Sequence, residues 1–234
     1  MQQNTSSTVQ HQLNETLSLL LNEPINTTGC GRTDTGVHAR QFYAHFDCTK
    51  GLMHKEENNW INKINKVLPP DIAILRIHAV HSEANCRFDA ISRTYEYHIS
   101  NKKDPFGVKQ VANIPGKFNI ELMNKAASLL KKYEDFSSFS KSKTNTFTNN
   151  CIISHAIWEQ NGEKLVFTIS ANRFLRNMVR AIVGTLLELG KEKITLEEFS
   201  DIIESKNRSN AGTSVSADGL YLVKVEYPNH QFDE

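Results

Sequence analysis

The sequence predicts an α+β fold with a mainly antiparallel mixed sheet flanked by helices. Its β-branched and aromatic segments come in consecutive pairs with helical patterns between them, which is not the regular alternation that a parallel sheet requires. Two of these segments are joined by Asn161-Gly162, and Asn-Gly is the strongest short signal for a hairpin. With 234 residues, of which 39% are hydrophobic, the chain is long enough to bury a sizeable core.

Helices are predicted where apolar residues recur at helical spacing. In chain order they run from Val9 to Leu21 ahead of Pro24, from Trp60 to Leu68 ahead of Pro69, onward from the N-cap residue Asn119, from Phe174 to Leu189 with Gly190 at the end, and onward from a capping box at Thr195–Glu198. Strands are predicted at residues 72–80, 87–99, 155–158, 165–169 and 220–227.

A junction is expected near residues 102–107, where Pro105 and Gly107 interrupt the predicted elements. We therefore expect an N-terminal half at residues 1–103 and a C-terminal half at residues 104–234.

The composition excludes several classes of protein. No apolar run approaches the ~20 residues of a transmembrane helix, and no signal-peptide pattern opens the sequence, so we expect no membrane partner. Four cysteines without a C-x-x-C pair suit neither a zinc site nor a disulfide framework, and we expect a reducing, cytoplasmic location. The sequence has no dinucleotide-binding, Walker or metal-ligand motif, so no pattern in it indicates a particular cofactor or metal ion.

The net charge of +1 does not by itself indicate a nucleic-acid-binding protein. The distribution of charge matters more than its sum. Basic residues are grouped at a few points of the chain: Arg32 with Arg40, Arg87 with Arg93, Lys102 with Lys103, Lys141 with Lys143, and Arg173 with Arg176 and Arg180. These groups are compatible with one positive face on a nearly neutral protein.

The segment Gly31-Arg32-Thr33-Asp34-Thr35-Gly36-Val37-His38-Ala39 is the most informative part of the sequence. Glycines at both ends permit tight turns, and polar residues held between them are usually presented to a ligand. From these residues alone, a polar turn that leads into a strand explains the segment equally well.

The segment resembles the catalytic motif of the tRNA pseudouridine synthase A family, and four further segments resemble motifs of that family in the same order. They are the R-x-Y-x-Y strand at residues 93–97, the turn Asp135-Phe136-Ser137-Ser138-Phe139, the F-L-x-x-M-V-R helix at residues 174–180 with its following I-V-G, and Ala217-Asp218-Gly219-Leu220-Tyr221-Leu222. The resemblance implies the pseudouridine synthase fold, built from two similar α/β halves. It also implies a homodimer that binds tRNA.

The implied activity is that of an isomerase acting on uridines 38, 39 and 40 of the tRNA anticodon stem-loop. The enzyme breaks the C1′–N1 glycosidic bond, turns the uracil and rejoins it to the sugar through C5 without a cofactor. In this resemblance Asp34 is the essential carboxylate, as a nucleophile or as a base, and Tyr95 is the active-site tyrosine. Arg32 matches an arginine that contacts the RNA, whereas we interpret His38 as structural.

Arg180 is supported by a separate physical argument. The helix predicted around it is apolar over most of its circumference and should therefore be buried. A buried arginine needs an anionic partner, and Asp34 is the natural candidate. The resemblance implies the same pairing of the two motif positions, with Arg180 as the third catalytic residue. The alternative is that Arg180 lies at the edge of the helix and meets solvent. Arg173 and Arg176 precede it on the same predicted stripe, at the three- and four-residue spacings of a helix face. A helix that tolerates such repulsion is expected to meet phosphate, although a solvated basic stripe explains it equally well.

The chain departs from the family at its start. Members usually begin with a strand that contains the sequence Q-x-Q, whereas Thr8-Val9-Gln10 resembles the segment just after that strand. We therefore expect the first strand of the N-terminal half to be missing. One alternative is accordingly a catalytically impaired RNA-binding protein or chaperone of the same fold, and another is a small-molecule enzyme with a glycine-rich acidic loop.

Overall fold

The structure, a computed structural model, describes residues 8–49, 57–141 and 147–228. These residues form two compact units, one drawn from residues 8–32, 42–49, 57–90 and 227–228 and the other from residues 33–41, 91–141 and 147–226. Lys143, and the residues before Thr8 that bear on the missing strand, lie outside the described residues. The expected division after residue 103 stays a prediction.

The described part contains five α-helices and eight strands. The helices are α1 (Val9–Leu21), α2 (Glu57–Val67), α3 (Ile120–Leu129), α4 (Met178–Gly190) and α5 (Leu196–Glu204). The strands are β1 (Thr28–Gly29), β2 (His38–Ala39), β3 (Ala44–His45), β4 (Ser92–Ser100), β5 (Ala112–Asn113), β6 (Ile153–Asn161), β7 (Lys164–Ala171) and β8 (Leu220–Glu226). Within this part, no helix combines the length and the apolar character needed to cross a membrane.

The first compact unit contains α1, α2 and the short antiparallel pair β1–β3. Leu17 and Leu21 of α1 pack with Ile64 of α2 in a small buried cluster. The helix pattern in the sequence predicts both helices because their apolar residues recur on one face.

The predicted strand at residues 72–80 is wrong, because the structure shows no strand there. Side chains of α2 take the hydrogen bonds that a neighbouring strand would otherwise make. The Asn65 amide accepts from the backbone N–H of Ile74 at 2.7 Å and donates to its carbonyl at 2.8 Å, and Glu57 accepts from the N–H of Ile77 at 3.2 Å. The alternation of isoleucines therefore reflects packing against α2.

The second compact unit is built on a mixed sheet with the strand order β2-β8-β4-β7-β6. β4 pairs antiparallel with both β7 and β8, β6 pairs antiparallel with β7, and β2 pairs parallel with β8. β5 adds a short parallel pairing to the end of β4. The predicted mixed, mainly antiparallel sheet flanked by helices is confirmed, as is the hairpin at Gly162, whose φ is +61°.

One face of this sheet packs against α3, α4 and α5. Tyr97 of β4 and Phe167 of β7 are fully buried there, together with Met123 of α3, Ile182 of α4 and Phe199 of α5. Alternate residues of β7 are buried and half-buried, which is the period expected of a strand with one covered face. The core therefore lies between the sheet and the helices, and α4 runs through it.

Helix α4 begins later than predicted. Asn177 has a φ of 67°, and this left-handed conformation separates residues 173–176 from the helix that starts at Met178. The sequence shows no break, because apolar residues continue through Phe174 and Leu175. Gly190 is the last helical residue and not the residue beyond the end.

Candidate active site

Asp34 lies in the loop that leads into the edge strand β2. The chain turns directly after it, with the N–H of Val37 donating to the carbonyl of Asp34 at 3.2 Å. Gly36 adopts a φ of +87° in this turn, a conformation that glycine reaches without strain. β2 then pairs with β8, so the sheet fixes the backbone shortly after the carboxylate, at His38.

Arg180 forms the predicted ion pair with Asp34. Its Nη1 donates to Oδ2 of Asp34 at 2.9 Å, and its Nε donates to the carbonyl of Val215 at 2.8 Å. The side chain is 20% exposed, against 30% for that of Asp34. The guanidinium is therefore held at two points, and the carboxylate is oriented by a charge-assisted hydrogen bond. The prediction of this pair from the sequence is confirmed.

The segment from Thr213 to Ser216 supports Arg180. The N–H of Val215 donates to the carbonyl of Arg180 at 3.2 Å, and the Tyr97 hydroxyl donates to the carbonyl of Ser216 at 2.9 Å. Burial raises the pKa of the Tyr97 hydroxyl to about 12, so it remains a donor at neutral pH. On α4, Gly184 lies so close to the carbonyl of Thr213 that a methyl group at position 184 would overlap it.

The predicted stripe of Arg173, Arg176 and Arg180 on one helix is wrong, because only Arg180 lies in α4. Asn177 turns the chain between Arg176 and the helix, so helical spacing does not apply to the two earlier arginines. Nε of Arg176 still lies 3.8 Å from Oδ1 of Asp34, with the arginine side chain 49% exposed. That distance is an ion-pair contact and too long for a hydrogen bond.

Arg173 is half-buried and lies in a different environment. Its charge acts on Cys151, whose pKa is nevertheless raised by burial to about 11. The predicted RNA-binding roles of Arg173 and Arg176 stay predictions.

An open cleft of about 550 Å³ surrounds the ion pair, and its described lining consists of Asp34, Thr35, Lys141, Asn177, Arg180 and Arg208. The sequence predicts Asp34 and Arg180 as site residues and places Lys141 in a basic group. It gives no signal for Arg208, which reaches the cleft from the short helical turn Arg208–Asn210. For the turn at Asn177 the sequence offers one signal, which is that asparagine adopts the left-handed backbone region more readily than most residues.

The other predicted site residues do not line this cleft in the described part of the chain. Tyr95 is half-buried in the central strand β4, with the ring of Phe174 edge-on at 5.2 Å. Arg32 is exposed and belongs to the first compact unit. His38 fits its structural interpretation, because its Nε2 lies 2.6 Å from the carbonyl oxygen of Lys109 and its ring stacks on Tyr221 at 4.7 Å.

The arrangement provides one oriented carboxylate in a cleft whose other charged lining residues are cations. Oδ2 of Asp34 is held by Arg180, which leaves Oδ1 to act as a base or as a nucleophile. Among the described residues no group of three or more potential ligands is placed to hold a metal ion.

Comparisons with known proteins identify the family of the chain. A family model described as tRNA pseudouridine synthase matches residues 126–228. A protein of Parabacteroides distasonis called tRNA pseudouridine synthase A is 50% identical over 228 residues, which cover 96% of this chain and 88% of that protein. Proteins of the same name from Bacteroides thetaiotaomicron and Porphyromonas gingivalis are both 46% identical, covering 99% and 98% of this chain and 86% and 92% of their own lengths. The chain therefore belongs to the tRNA pseudouridine synthase A family.

Proposed function

We propose that this protein is an isomerase that converts uridine to pseudouridine in tRNA, at positions 38–40 of the anticodon stem-loop. The observation that carries the proposal is the ion pair between Asp34 and Arg180 in an open, mainly cationic cleft. Relatives named for this activity resemble the chain over nearly its whole length. They give no support to the alternative of an impaired binding protein.

The residues have distinct roles in the reaction. Oδ1 of Asp34 acts at the ribose, either by bonding to C1′ or by removing a proton from the sugar, while the C1′–N1 bond breaks. Arg180 keeps the carboxylate in place through Oδ2. After the uracil turns, C5 bonds to C1′ while either the bond between Asp34 and C1′ breaks or Asp34 returns the proton to the sugar. The proton on C5 is then lost and N1 is protonated, so the product is an isomer of the substrate and Asp34 is again a carboxylate.

The family resemblance assigns further roles to Tyr95 and to Arg32. An aromatic ring stacks on a base that has been removed from its helix, and the hydroxyl of Tyr95 is able to relay the proton near C5. Arg32, exposed in its loop, contacts the RNA backbone. The fold is proposed to consist of two similar α/β halves, as the family resemblance implies.

The test is to incubate the purified protein with unmodified tRNA transcripts and to map pseudouridine at single-nucleotide resolution. We expect conversion at one or more of positions 38–40 by the wild type. Asp34→Asn should lower the rate by about 100-fold or more, because it removes the reactive oxygen but keeps the side-chain size. It should still bind tRNA.

Asp71→Asn is the matched control, because Asp71 is exposed in the first compact unit, and it should retain full activity. Binding of tRNA without any conversion by the wild type would favour the impaired binding protein. The absence of both would favour an enzyme acting on a small molecule.

We also propose that the protein acts as a homodimer in the cytoplasm. Its basic groups are short and widely spaced, which suits an RNA-binding surface assembled from two chains. Its four cysteines, all in the described residues, form no disulfide bonds. Light scattering should give the mass of two chains, and a monomer that retains activity on whole tRNA would contradict the shared surface.

A further inference from the structure

We propose that Lys141 and Arg208 bind the backbone phosphate next to the reacting uridine and thereby position its ribose against Asp34. This inference rests on the proposed function and deepens it, because it assigns a phosphate subsite to two residues that lie outside the five motif segments. The residues act on the position of the substrate and leave the bond-breaking step to Asp34.

The first argument is the charge of the cleft. Its described lining contains three cations, Lys141, Arg180 and Arg208, and one carboxylate, Asp34. Arg180 is committed to Asp34 and to the carbonyl of Val215. The charges of Lys141 and Arg208 are therefore not balanced within the lining, and an anion that enters the cleft would balance them.

The second argument is the way in which Arg208 is held. Its Nη1 donates to the carbonyl of Ala211 at 3.2 Å, and its Nη2 donates to the hydroxyl of Ser214 at 2.9 Å. The same hydroxyl accepts from the Asn177 amide at 2.6 Å. A guanidinium has five N–H donors, and these contacts use two of them. Arg208 is thus oriented in advance and retains donors for a ligand.

The third argument is the position of Lys141. Its backbone N–H donates to the carbonyl of Arg176 at 3.1 Å, which fixes it beside the turn that precedes α4. Its side chain is exposed and lines the same cleft as Asp34. A lysine on a fixed backbone with a flexible stem is suited to follow a phosphate that enters from solvent.

The size of the cleft agrees with a single nucleotide as its occupant. Its volume of about 550 Å³ lies within the usual range for sites that hold one small molecule. In RNA the anion nearest to the glycosidic bond is the phosphate on either side of the same ribose. A nucleotide that places its sugar at Asp34 therefore brings a phosphate into the part of the cleft that Lys141 and Arg208 line.

The experiment is a double-mutant cycle between the protein and the RNA backbone. tRNAs are assembled by ligation with one uncharged methylphosphonate linkage, placed on the 5′ side of the target uridine, on its 3′ side, or several nucleotides away in the same stem. Binding is measured in an Asp34→Asn background, so that turnover does not interfere. In that background, one of the two adjacent neutral linkages should weaken binding about tenfold, the value of one charge-assisted hydrogen bond.

The same linkage should cost less in Lys141→Gln or in Arg208→Gln, each of which leaves one cation on that phosphate, and less than about twofold in the double variant, which has removed both partners. The distant linkage should cost the same in all proteins. Arg208→Lys should restore part of the effect, which separates the charge of Arg208 from its support of Ser214. Lys132→Gln, at an exposed position of the second compact unit, is the control for removal of one charge.

If the adjacent neutral linkages weakened tRNA binding equally with and without the substitutions at Lys141 and Arg208, the phosphate subsite would be overturned. A wild-type protein that modifies tRNA but shows this result would retain the proposed function without the subsite. A wild type that fails to modify tRNA in the mapping assay would instead contradict the proposed function itself.

Discussion

Arg180 and Arg176 both face the carboxylate of Asp34, but they lie in regions of different construction. Arg180 belongs to the buried helix α4, donates to Asp34 at 2.9 Å and to Val215 at 2.8 Å, and is 20% exposed. Arg176 lies in the turn before the helix, 3.8 Å from Asp34, and is 49% exposed. Two arginines four positions apart in the sequence thus have different surroundings.

The difference separates a cation that orients Asp34 from one that only lies near it. An exposed ion pair contributes little, because water and salt screen it, whereas a pair with directed hydrogen bonds fixes a geometry. Arg180 is therefore suited to hold the reacting carboxylate. Arg176 is half-exposed and too far from Asp34 for a hydrogen bond, which is compatible with the predicted contact to RNA. Replacing residues of each region should accordingly change different measured quantities.

The largest effect is expected for Arg180→Met, which keeps a long side chain but removes the guanidinium. Turnover should fall by about 100-fold or more, because Asp34 is no longer held in its orientation. The free energy of unfolding should fall by about 2 kcal/mol, the usual value of a charge-assisted hydrogen bond. Single-turnover kinetics and urea denaturation measure the two effects.

The control is Arg76→Met, at an exposed position of the first compact unit, which should change neither quantity. If Arg180→Met lowered tRNA affinity but left the single-turnover rate intact, the division of roles would be reversed.

An intermediate effect is expected when Arg173 and Arg176 are both replaced by glutamine. Affinity for tRNA should fall, and the slope of log Kd against log salt should decrease by about 0.7 to 0.9 for each phosphate that the variant no longer neutralises. The single-turnover rate at saturating tRNA should stay within about threefold of wild type, because Arg180 still holds Asp34.

Lys131→Gln with Lys132→Gln removes the same charge from exposed positions and should leave the salt slope unchanged. An unchanged slope in the arginine double variant would assign Arg173 and Arg176 to a solvated surface.

The smallest effect is expected for Tyr97→Phe, which removes the hydroxyl that supports Ser216 beside Arg180. The free energy of unfolding at pH 7 should fall by about 1 kcal/mol, since one buried hydrogen bond is removed. Burial raises the pKa of this hydroxyl from 10.0 to about 12, so the unfolded chain loses the proton first as the pH rises. Wild-type stability should therefore decrease between pH 10 and pH 12 more steeply than that of the variant.

Urea denaturation at about pH 7 and across the interval between the unfolded and folded pKa values of Tyr97 provides the measurement. Tyr227→Phe removes a comparable hydroxyl–carbonyl bond in the first compact unit and serves as the control. Equal pH dependence of the wild type and Tyr97→Phe would contradict the assigned pKa shift.

Local patterns predict much of the fold. α1, α3 and α5 begin where the sequence indicates, and Thr195 with Glu198 forms the expected capping box. The strand predicted at residues 72–80 is wrong because side chains of α2 satisfy the backbone of that segment. The predicted start of α4 is wrong because one asparagine adopts a positive φ within an apolar run, which no periodicity reveals.

The candidate site is likewise predicted only in part from the sequence. Asp34 is predicted from the family resemblance, and its pairing with Arg180 is predicted both by that resemblance and because a buried arginine needs an anion; their hydrogen bond confirms the pair. Lys141 and Arg208 enter the cleft from distant parts of the chain, and neither has a partner that sequence spacing indicates. Two residues that meet only after folding can be paired from the sequence when burial of one of them requires a partner of opposite charge.

Gly184 shows that the letters of a family motif do not all record chemistry. The motif helix contains Arg180, which contacts the reacting carboxylate, and, one turn later, a glycine that lies against the carbonyl of Thr213. Any side chain there would push the segment that supports Arg180 away from α4. A motif search weighs both letters alike, yet the first identifies a reaction and the second identifies two backbones that touch. A protein that kept the glycine and replaced the arginine would retain this packing without the ion pair to Asp34.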